Sequence, residues 1–278
     1  MDFVAIPASY YSLSELVDLL NRGFEQYFIP IHFNTDMFSN MLRKDGINLD
    51  DSRVLVADDQ ACGIGLIARR PILHTSRVAA MGIAKETRGK GAGSWFMKKL
   101  IDDACGRVDR EMLLEVIEQN EPAVKLYRKY GFESIRRLVG FTRKSREAPG
   151  NEGTALHEVG LPEMAQLISQ YGPPDLPWQL SGESLAQMNP APLAYRMGRA
   201  YIVISNPEAE HVVIWSLLVE SAARGRGLGT GMLRHVMAQY AGKTWHVPAL
   251  FPEEFGVVFE RAGFEKEKLS QWQMKLKL

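Results

Sequence analysis

The sequence predicts two tandem copies of an α/β (α+β) fold, each with a central mixed, mostly antiparallel twisted sheet flanked by helices. Three observations support this fold class. The length of 278 residues suits about two domains of ordinary size. Each half combines runs of strand-forming residues with amphipathic helices. A glycine-rich turn and the helix after it occur twice, at residues 88–93 and 224–229, which indicates an internal repeat.

The first half predicts a strand, two helices, a β meander and a β-α-β unit. Ser12 and Glu15 form a capping box that opens the first helix. A meander followed by β-α-β gives antiparallel neighbours first and a parallel pair after them. In order, the expected elements are a strand over 3–8, the capped helix, a helix over 36–43, strands over 53–57, 62–68 and 76–84, the turn and its helix, a strand over 113–117, a helix over 121–130 and a strand over 134–142.

The second half repeats the later part of this order after a polar segment rich in turn formers, residues 144–153. We place the domain boundary there, which gives domains over 1–145 and 154–278. The elements expected after it are a strand over 155–159, a helix over 162–170, a Pro-rich stretch over 173–178, and a hairpin of strands 194–204 and 211–219 that turns at 206–208.

The helix after each glycine-rich turn carries the same apolar stripe. Arg224 follows Arg88 by 136 residues, and at that offset every apolar position of the first helix meets an apolar or aromatic residue of the second. The pairs are Phe96 and Met232, Met97 and Leu233, Leu100 and Val236, Ile101 and Met237, and Ala104 and Tyr240. The two halves are therefore predicted to be copies of one fold.

Composition excludes several function classes. The chain has 33 Lys and Arg against 33 Asp and Glu, so it lacks the positive excess of a protein that coats nucleic acid or an anionic membrane. Two distant cysteines form neither a disulfide framework nor a metal motif, which favours a reducing compartment. The N-terminus lacks the pattern of a signal peptide, and no apolar run is long enough to span a bilayer. We expect a cytoplasmic protein without a metal.

A glycine-rich turn that enters a helix exposes unpaired N–H groups at the positive end of the helix dipole, which suits a phosphate. Two better-known phosphate signatures fail here. A Walker loop needs Gly-Lys followed by Ser or Thr, but Gly91 follows Lys90. A dinucleotide fingerprint needs a third glycine where Ser94 and Thr230 stand. What remains in both copies is R-x-x-G-x-G before an amphipathic helix.

A second motif follows the first turn. Residues 120–132 have the pattern N-x-x-A-x-x-L-Y-x-x-x-G-F. Together with the turn at residues 88–93, this segment resembles the GNAT superfamily of acyl-CoA-dependent N-acetyltransferases over residues 3–143, and more weakly over residues 154–278. The resemblance implies an acyltransferase in which an uncharged amine attacks the thioester of acetyl-CoA directly, in a ternary complex.

The resemblance also implies site residues. The turn would bind the CoA pyrophosphate, the Ile83 backbone would pair with the pantetheine arm, Asn120 would bond the cofactor and the Tyr127 hydroxyl would protonate the departing thiolate. The turn residues are Arg88, Gly89, Lys90, Gly91, Ala92, Gly93 and Ser94. Their counterparts in the second copy are Val219, at the position of Ile83, and Arg224, Gly225, Arg226, Gly227, Leu228, Gly229 and Thr230.

The second copy lacks the motif's polar residues at the positions of Asn120 and Tyr127. When Gly263-Phe264 is aligned with Gly131-Phe132, Phe259 takes the place of Tyr127 and Pro252 that of Asn120. Phenylalanine has no proton to give. We expect the first domain to be catalytic and the second to bind CoA without turnover or to serve as a packing partner.

The sequence does not single out one residue as the general base. Glu115 lies within an apolar strand, where a carboxylate is either a functional group with a shifted pKa or a paired structural one. Deprotonation through water is a third alternative. The family's acceptor usually binds near the segment between the first two helices, which here offers Tyr27, Ile29, His32 and Phe33. His32 has the titration range of a base, but a histidine among apolar neighbours is equally a core residue.

The leading hypothesis is an acetyl-CoA-dependent N-acetyltransferase, monomeric or homodimeric, acting on a small-molecule amine or a peptide N-terminus. The alternative is a regulatory protein that binds acyl-CoA without turnover. Asn120 and Tyr127 distinguish the two hypotheses, because both residues are present in the first copy and both are replaced in the second.

Overall fold

The computed structural model describes residues 2–144 and 155–278, and these residues form two compact units. The first unit contains the residues up to Ile135 together with Trp272–Leu278, and the second contains Arg136–Gln271. The predicted boundary at 144–153 falls almost wholly outside the described residues, so the domain limits of 1–145 and 154–278 stay a prediction.

The helices and strands of the first unit follow the expected order. The helices are α1 (Leu13–Gly23), α2 (Thr35–Asp45), α3 (Ala92–Gly106), α4 (Glu121–Lys129), α5 (Leu161–Tyr171), α6 (Gly182–Ala186), α7 (Leu228–Gln239) and α8 (Val257–Arg261). The strands are β1 (Phe3–Pro7), β2 (Ile47–Ala57), β3 (Gln60–Arg70), β4 (Thr75–Ile83), β5 (Glu111–Ile117), β6 (Glu133–Lys144), β7 (His157–Val159), β8 (Leu193–Met197), β9 (Ala200–Ile204), β10 (His211–Val219), β11 (Thr244–Pro252) and β12 (Glu265–Lys277).

The first unit is a mixed sheet covered on both faces. Its strand order is β1, β2, β3, β4, β5 and the end of β12; the first four are antiparallel neighbours and β5 is parallel to β4. Helices α1 and α2 bury Leu16, Leu20 and Phe38 on one face. On the other face, α3 buries Phe96 and α4 buries Val124. This arrangement confirms the predicted fold class.

The capping box predicted at the start of α1 is confirmed. Glu15 N donates to Ser12 Oγ at 3.3 Å, and Ser12 N donates to Glu15 Oε2 at 2.7 Å. Two orphan N–H groups are thereby satisfied, which fixes the first residue of the helix.

The second unit repeats this architecture. Its order is the first part of β12, then β6, β11, β10, β9, β8 and β7, with β10 and β11 parallel. Helices α7 and α8 pack on one face and α5 and α6 on the other. The prediction of one strand over residues 194–204 was wrong: β8 and β9 form a hairpin of their own, because Gly198, with φ of +59°, reverses the chain between them.

The described residues contain no helix that is both long and apolar enough to cross a membrane. Cys62 is a buried free thiol, and Cys105 is an exposed one.

Candidate active site

The first glycine-rich turn joins β4 to α3 through two left-handed glycines. Gly89 has φ of +76°, and Gly91, the N-cap of α3, has φ of +83°. A Cβ at either position would meet nothing within 4 Å, so this side of the turn is open to a ligand. The N–H groups of residues 92–94 have no partner within the helix, and the helix dipole makes this end positive. The turn has the geometry of an anion site.

The second turn has the same backbone. Gly225 has φ of +76°, and Gly227, the N-cap of α7, has φ of +79°. A Cβ on either glycine would again meet nothing within 4 Å. The repeat seen in the sequence therefore extends to the backbone angles, and residues 228–230 present their N–H groups as residues 92–94 do.

The Arg88 side chain is engaged with backbone carbonyls. Its Nε donates to the Ile83 carbonyl at 2.8 Å and its Nη2 to the Gly23 carbonyl at 2.9 Å. It thereby ties the end of β4 to the end of α1. The resemblance placed this arginine among the residues that bind the pyrophosphate, but its donors are directed at the protein backbone instead.

Arg224 makes the matching pair of contacts in the second unit. Its Nε donates to the Val219 carbonyl at 3.1 Å, and its Nη2 donates to the Tyr171 carbonyl. The exposed side chains of Lys90 and Arg226 make no ion pair or side-chain hydrogen bond within the described parts of the chain. These two are the cations left free beside the turns.

The two parallel strands next to the first turn separate. Residues 75–78 of β4 pair with residues 111–114 of β5, and the pairing ends there. An extra residue, Ala79, bulges from β4 at the point of separation. The backbone of residues 79–83 therefore faces a gap on the β5 side, although the Ile83 carbonyl already accepts from Arg88.

The second unit has the same separation. Residues 211–213 of β10 pair with 244–246 of β11 and no further, and Trp215 bulges from β10 against β9. Each unit thus has a slot between two parallel strands that opens beside a glycine-rich turn.

Tyr127, Asn120 and Tyr27 lie together in the first unit. Asn120 caps α4 by accepting a hydrogen bond from the N–H of Ala123 at 3.4 Å, and its side chain lies near the Tyr27 hydroxyl. Burial raises the pKa of Tyr27, and the nearby Asn120 amide lowers it. Burial also raises the pKa of Tyr127, with a smaller contribution from Tyr27. The Tyr127 side chain is 8% exposed, and its hydroxyl has no hydrogen-bond partner among the described residues.

The second unit keeps the ring and loses the hydroxyl. Tyr127 meets Phe132 edge to face at 5.9 Å between ring centroids, and Phe259 meets Phe264 in the same way at 5.6 Å. Pro252 cannot cap a helix as Asn120 does, and a 3-10 turn at Glu253–Phe255 precedes α8 instead.

Glu115 is held in a buried ion pair. Its Oε2 accepts from Arg77 Nε at 2.6 Å, and the two side chains are 2% and 3% exposed. Arg77 also approaches Asp45 Oδ2 at 3.5 Å. The geometry corresponds to the structural alternative for Glu115. Sequence analysis missed Arg77, although two charged residues on adjacent predicted strands were a signal that they would pair.

The segment between α1 and α2 presents apolar side chains. Ile29 is 43% exposed and His32 is exposed, whereas Tyr27 and Phe33 are half-buried. The Asn21 side chain accepts from Phe33 N at 2.8 Å and donates to Phe33 O at 3.0 Å, which fixes the end of the segment. Of the four predicted acceptor residues, Tyr27 is the one that the structure brings to Asn120 and Tyr127.

Ser94 joins the first turn to the end of α4. Tyr130 Oη donates to the Ser94 carbonyl at 2.6 Å, and Lys129 Nζ donates to Ser94 Oγ at 3.1 Å. Lys129 therefore holds a positive charge at the first turn of α3. The sequence pattern did not single out Lys129 or Tyr130.

Two family profiles match the chain, one in each half. The acetyltransferase (GNAT) domain profile matches residues 50–134, and the acetyltransferase (GNAT) family profile matches residues 192–250. The chain belongs to the GNAT acetyltransferase family. Because the two matches fall in different halves, the tandem arrangement inferred from the repeat is confirmed.

Individual relatives of this tandem GNAT protein match it to different extents. The L-amino acid N-acetyltransferase AaaT of Escherichia coli is 42% identical over 71 residues, which are 24% of this chain and 42% of that relative. The match therefore spans less than half of that curated relative.

Two solved structures share the fold over nearly the whole chain. A GCN5-related N-acetyltransferase from Sphaerobacter thermophilus has a TM-score of 0.67 at 14% identity, covering 99% of this chain and 95% of that one. A tandem GNAT protein from the clavulanic acid biosynthesis pathway has a TM-score of 0.66 at 15% identity, covering 99% and 98%.

Proposed function

We propose that this tandem GNAT protein is an N-acetyltransferase that transfers the acetyl group of acetyl-CoA to an amine, and that the first unit carries the reaction. The observation behind this proposal is the Tyr127 hydroxyl. This hydroxyl makes no hydrogen bond to a described residue, and it is not among the atoms that are fully buried without a partner, so it can meet a ligand. It lies in the unit with an open anion-binding turn.

The cofactor site is assigned to the turn and the slot beside it. The N–H groups of residues 89–94 bind the pyrophosphate, with Lys90 and Lys129 supplying charge. The backbone of residues 79–83, apart from the Ile83 carbonyl that accepts from Arg88, pairs with the pantetheine arm, and Arg88 holds the strand end in place. Residues 225–230 offer the same cradle in the second unit, with Arg226 as its free cation.

In the reaction, the amine nitrogen attacks the thioester carbonyl carbon and the carbon–sulfur bond breaks. Tyr127 donates its proton to the sulfur as the thiolate leaves, and its raised pKa keeps it protonated at physiological pH. The nitrogen gives its extra proton to solvent, and Tyr127 regains one from solvent. The products are an amide and free CoA. We assign no base role to Glu115, because Arg77 holds its carboxylate.

We assign the acceptor to the small amines, which include free amino acids. A peptide N-terminus is the larger acceptor that the same chemistry allows. The name of the E. coli relative supports amino acids. Tyr27 connects the apolar segment of Ile29 to the Tyr127 hydroxyl, so an acceptor with an apolar side chain fits this wall best.

The test is Tyr127→Phe. We expect kcat to fall by about 10² to 10⁴, the usual loss of a general acid, with the melting temperature unchanged because Phe259 fills the same place in the second unit. Free thiol release from acetyl-CoA is measured over a panel of L-amino acids and amines. Tyr240→Phe, which removes a hydroxyl bonded to Tyr195, is the matched control and should keep full turnover.

The assignment of the reaction to the first unit has its own test. Gly91→Val places a branched side chain at a left-handed φ in the ligand's path, and we expect turnover to vanish. If Gly91→Val keeps full turnover and Gly227→Val loses it, the second unit is the catalyst. If wild-type protein releases no thiol with any amine, the proposed reaction is wrong.

A further inference from the structure

Three aromatic rings form a row along the segment between α1 and α2. The ring of Phe24 meets that of Tyr27 edge to face, with the ring centroids 4.9 Å apart. Tyr27 meets Phe28 in the same way at 5.5 Å. Phe28 is 49% exposed, so the aromatic row, as we call these three residues, ends on a ring that has room for a further neighbour.

The inner end of the aromatic row lies at the slot of the first unit. A Cβ on Gly82 would lie 3.2 Å from Phe24 Cε2, so Phe24 packs on the part of β4 that no longer pairs with β5. The middle ring, Tyr27, lies near Asn120 and contributes to the raised pKa of Tyr127. The row therefore leads from the residues of the proposed reaction out to solvent.

The segment that carries the aromatic row is tied down at both ends. The Asn21 side chain bonds the backbone N–H and carbonyl of Phe33 at 2.8 and 3.0 Å, and Arg88 Nη2 donates to the Gly23 carbonyl at 2.9 Å. Between these ties, Gln26 adopts a left-handed φ of +60°, which is uncommon for a residue other than glycine. A segment fixed in this way loses less conformational entropy when it binds a ligand.

The outer end of the aromatic row is an apolar surface. Ile29 and Ile31, which follow Phe28 closely in the chain, are also exposed. Apolar side chains grouped at a surface mark binding sites. Rings that meet edge to face extend that packing when another ring approaches, whereas an aliphatic chain gains contact area alone. The best occupant of this surface is therefore aromatic.

The second unit has no such row at the matching place. The carbonyls that Arg88 and Arg224 bind are those of the last residues of α1 and α5, so the segments after these helices correspond. Gly172 stands where the first unit has Phe24, and the first aromatic residue after α5 is Trp178, which is 2% exposed. The exposed aromatic row thus belongs to the unit to which we assign the reaction.

We propose that the acceptor is a small amine with an aromatic side chain, such as an aromatic amino acid, and that Phe28 determines this specificity. The ring of the acceptor packs against Phe28, and the acceptor extends along Tyr27 so that its nitrogen approaches the thioester near Tyr127. That nitrogen forms the amide bond as the carbon–sulfur bond breaks. This inference rests on the proposed acetyl transfer and names its acceptor class.

The test compares L-phenylalanine with L-cyclohexylalanine, which has the same carbon skeleton without an aromatic ring. Thiol release from acetyl-CoA gives kcat and KM for each acceptor. We expect kcat/KM to favour L-phenylalanine about two- to tenfold, the ratio that corresponds to an aromatic pair. Burial of apolar area alone would favour the cyclohexyl compound, because its saturated ring exposes more apolar surface.

Three variants locate this preference. Phe28→Leu stays apolar but loses the ring, so it should raise KM for L-phenylalanine about two- to tenfold and remove the preference over L-cyclohexylalanine. Phe28→Tyr keeps the ring and should keep the preference. Ile72→Ala changes a side chain of the first unit that is 94% exposed, and it is the control that should leave both acceptors unchanged.

Binding of the two acceptors to the CoA-saturated protein, measured by calorimetry, separates this inference from the proposed reaction. Preferred binding of L-phenylalanine that depends on Phe28, without any thiol release, would refute the reaction alone. Turnover with aliphatic amines but not with L-phenylalanine would overturn the inference alone, as would a preference that survives Phe28→Leu. A dimer that dissociates on Phe28→Leu in analytical ultracentrifugation would overturn it too, because a second copy would then cover the aromatic row.

Discussion

Replacing Glu115 by alanine separates a role in the fold from a role in the reaction. Glu115 and Arg77 are almost wholly buried, and their closest atoms are 2.6 Å apart. Loss of one partner leaves a buried guanidinium without its nearest counter-charge, which typically costs about 3–5 kcal/mol. Asp45 remains 3.5 Å from Arg77, so we expect the lower end, about 3 kcal/mol. At a slope of about 2 kcal/mol per molar urea, the unfolding midpoint falls by about 1.5 M.

The assay is urea unfolding followed by circular dichroism, with kcat measured on the folded protein. The double variant Glu115→Leu with Arg77→Met removes both charges and should be more stable than Glu115→Ala, because no guanidinium is then left unpaired. Lys44, 3.8 Å from Asp45, still faces that carboxylate. If Glu115→Ala leaves the midpoint unchanged and lowers kcat more than a hundredfold, the structural assignment fails and Glu115 is the base.

Two further predictions concern the packing around the first turn. A Cβ on Gly82 would lie 3.0 Å from Gly23 Cα, so Gly82→Ala should lower the unfolding free energy by about 1–3 kcal/mol. Gly231→Ala, where a Cβ meets open space, should raise the unfolding free energy by up to about 1 kcal/mol. Equal effects of the two substitutions would contradict the close approach of Gly82 to Gly23. Arg88→Ala removes two hydrogen bonds to backbone carbonyls. Because the side chain is exposed, we expect the unfolding free energy to fall by about 1 kcal/mol and the melting temperature to fall with it. Lys90→Ala should leave the melting temperature unchanged and weaken acetyl-CoA binding, measured by calorimetry. If instead Lys90→Ala lowers the melting temperature and Arg88→Ala weakens binding, Arg88 contacts the cofactor and Lys90 stabilises the fold.

Local patterns predicted much of this fold. The capping box at Ser12, the meander and the duplicated turn each depend on residues close in the chain, and all of them are present. The hairpin of β8 and β9 was missed because strand-forming residues lie on both sides of Gly198, over 193–197 and 200–204, so the turn interrupts a run that otherwise suits one strand.

Local sequence patterns did not predict which strands and side chains pair across long distances in the chain. The sequence predicts a domain boundary after β6, whereas residues 136–144 group with the second unit and residues 272–278 with the first. A strand's alternation gives the face it buries but not the sheet that it joins. The Arg77 and Glu115 pair likewise joins two strands that are distant in sequence, and only their opposite charges on neighbouring predicted strands indicated it.

The difference between Tyr127 and Phe259 indicates which part of this side chain the fold needs. Both rings are buried, and both pack edge to face against the phenylalanine five residues later. Phenylalanine therefore satisfies the packing at this position, and the hydroxyl makes no hydrogen bond to a described residue that would stabilise the fold. A hydroxyl that adds no such bond, and that the duplicate unit folds without, is best explained by chemistry. In the first unit, we propose that this chemistry is the protonation of the leaving thiolate.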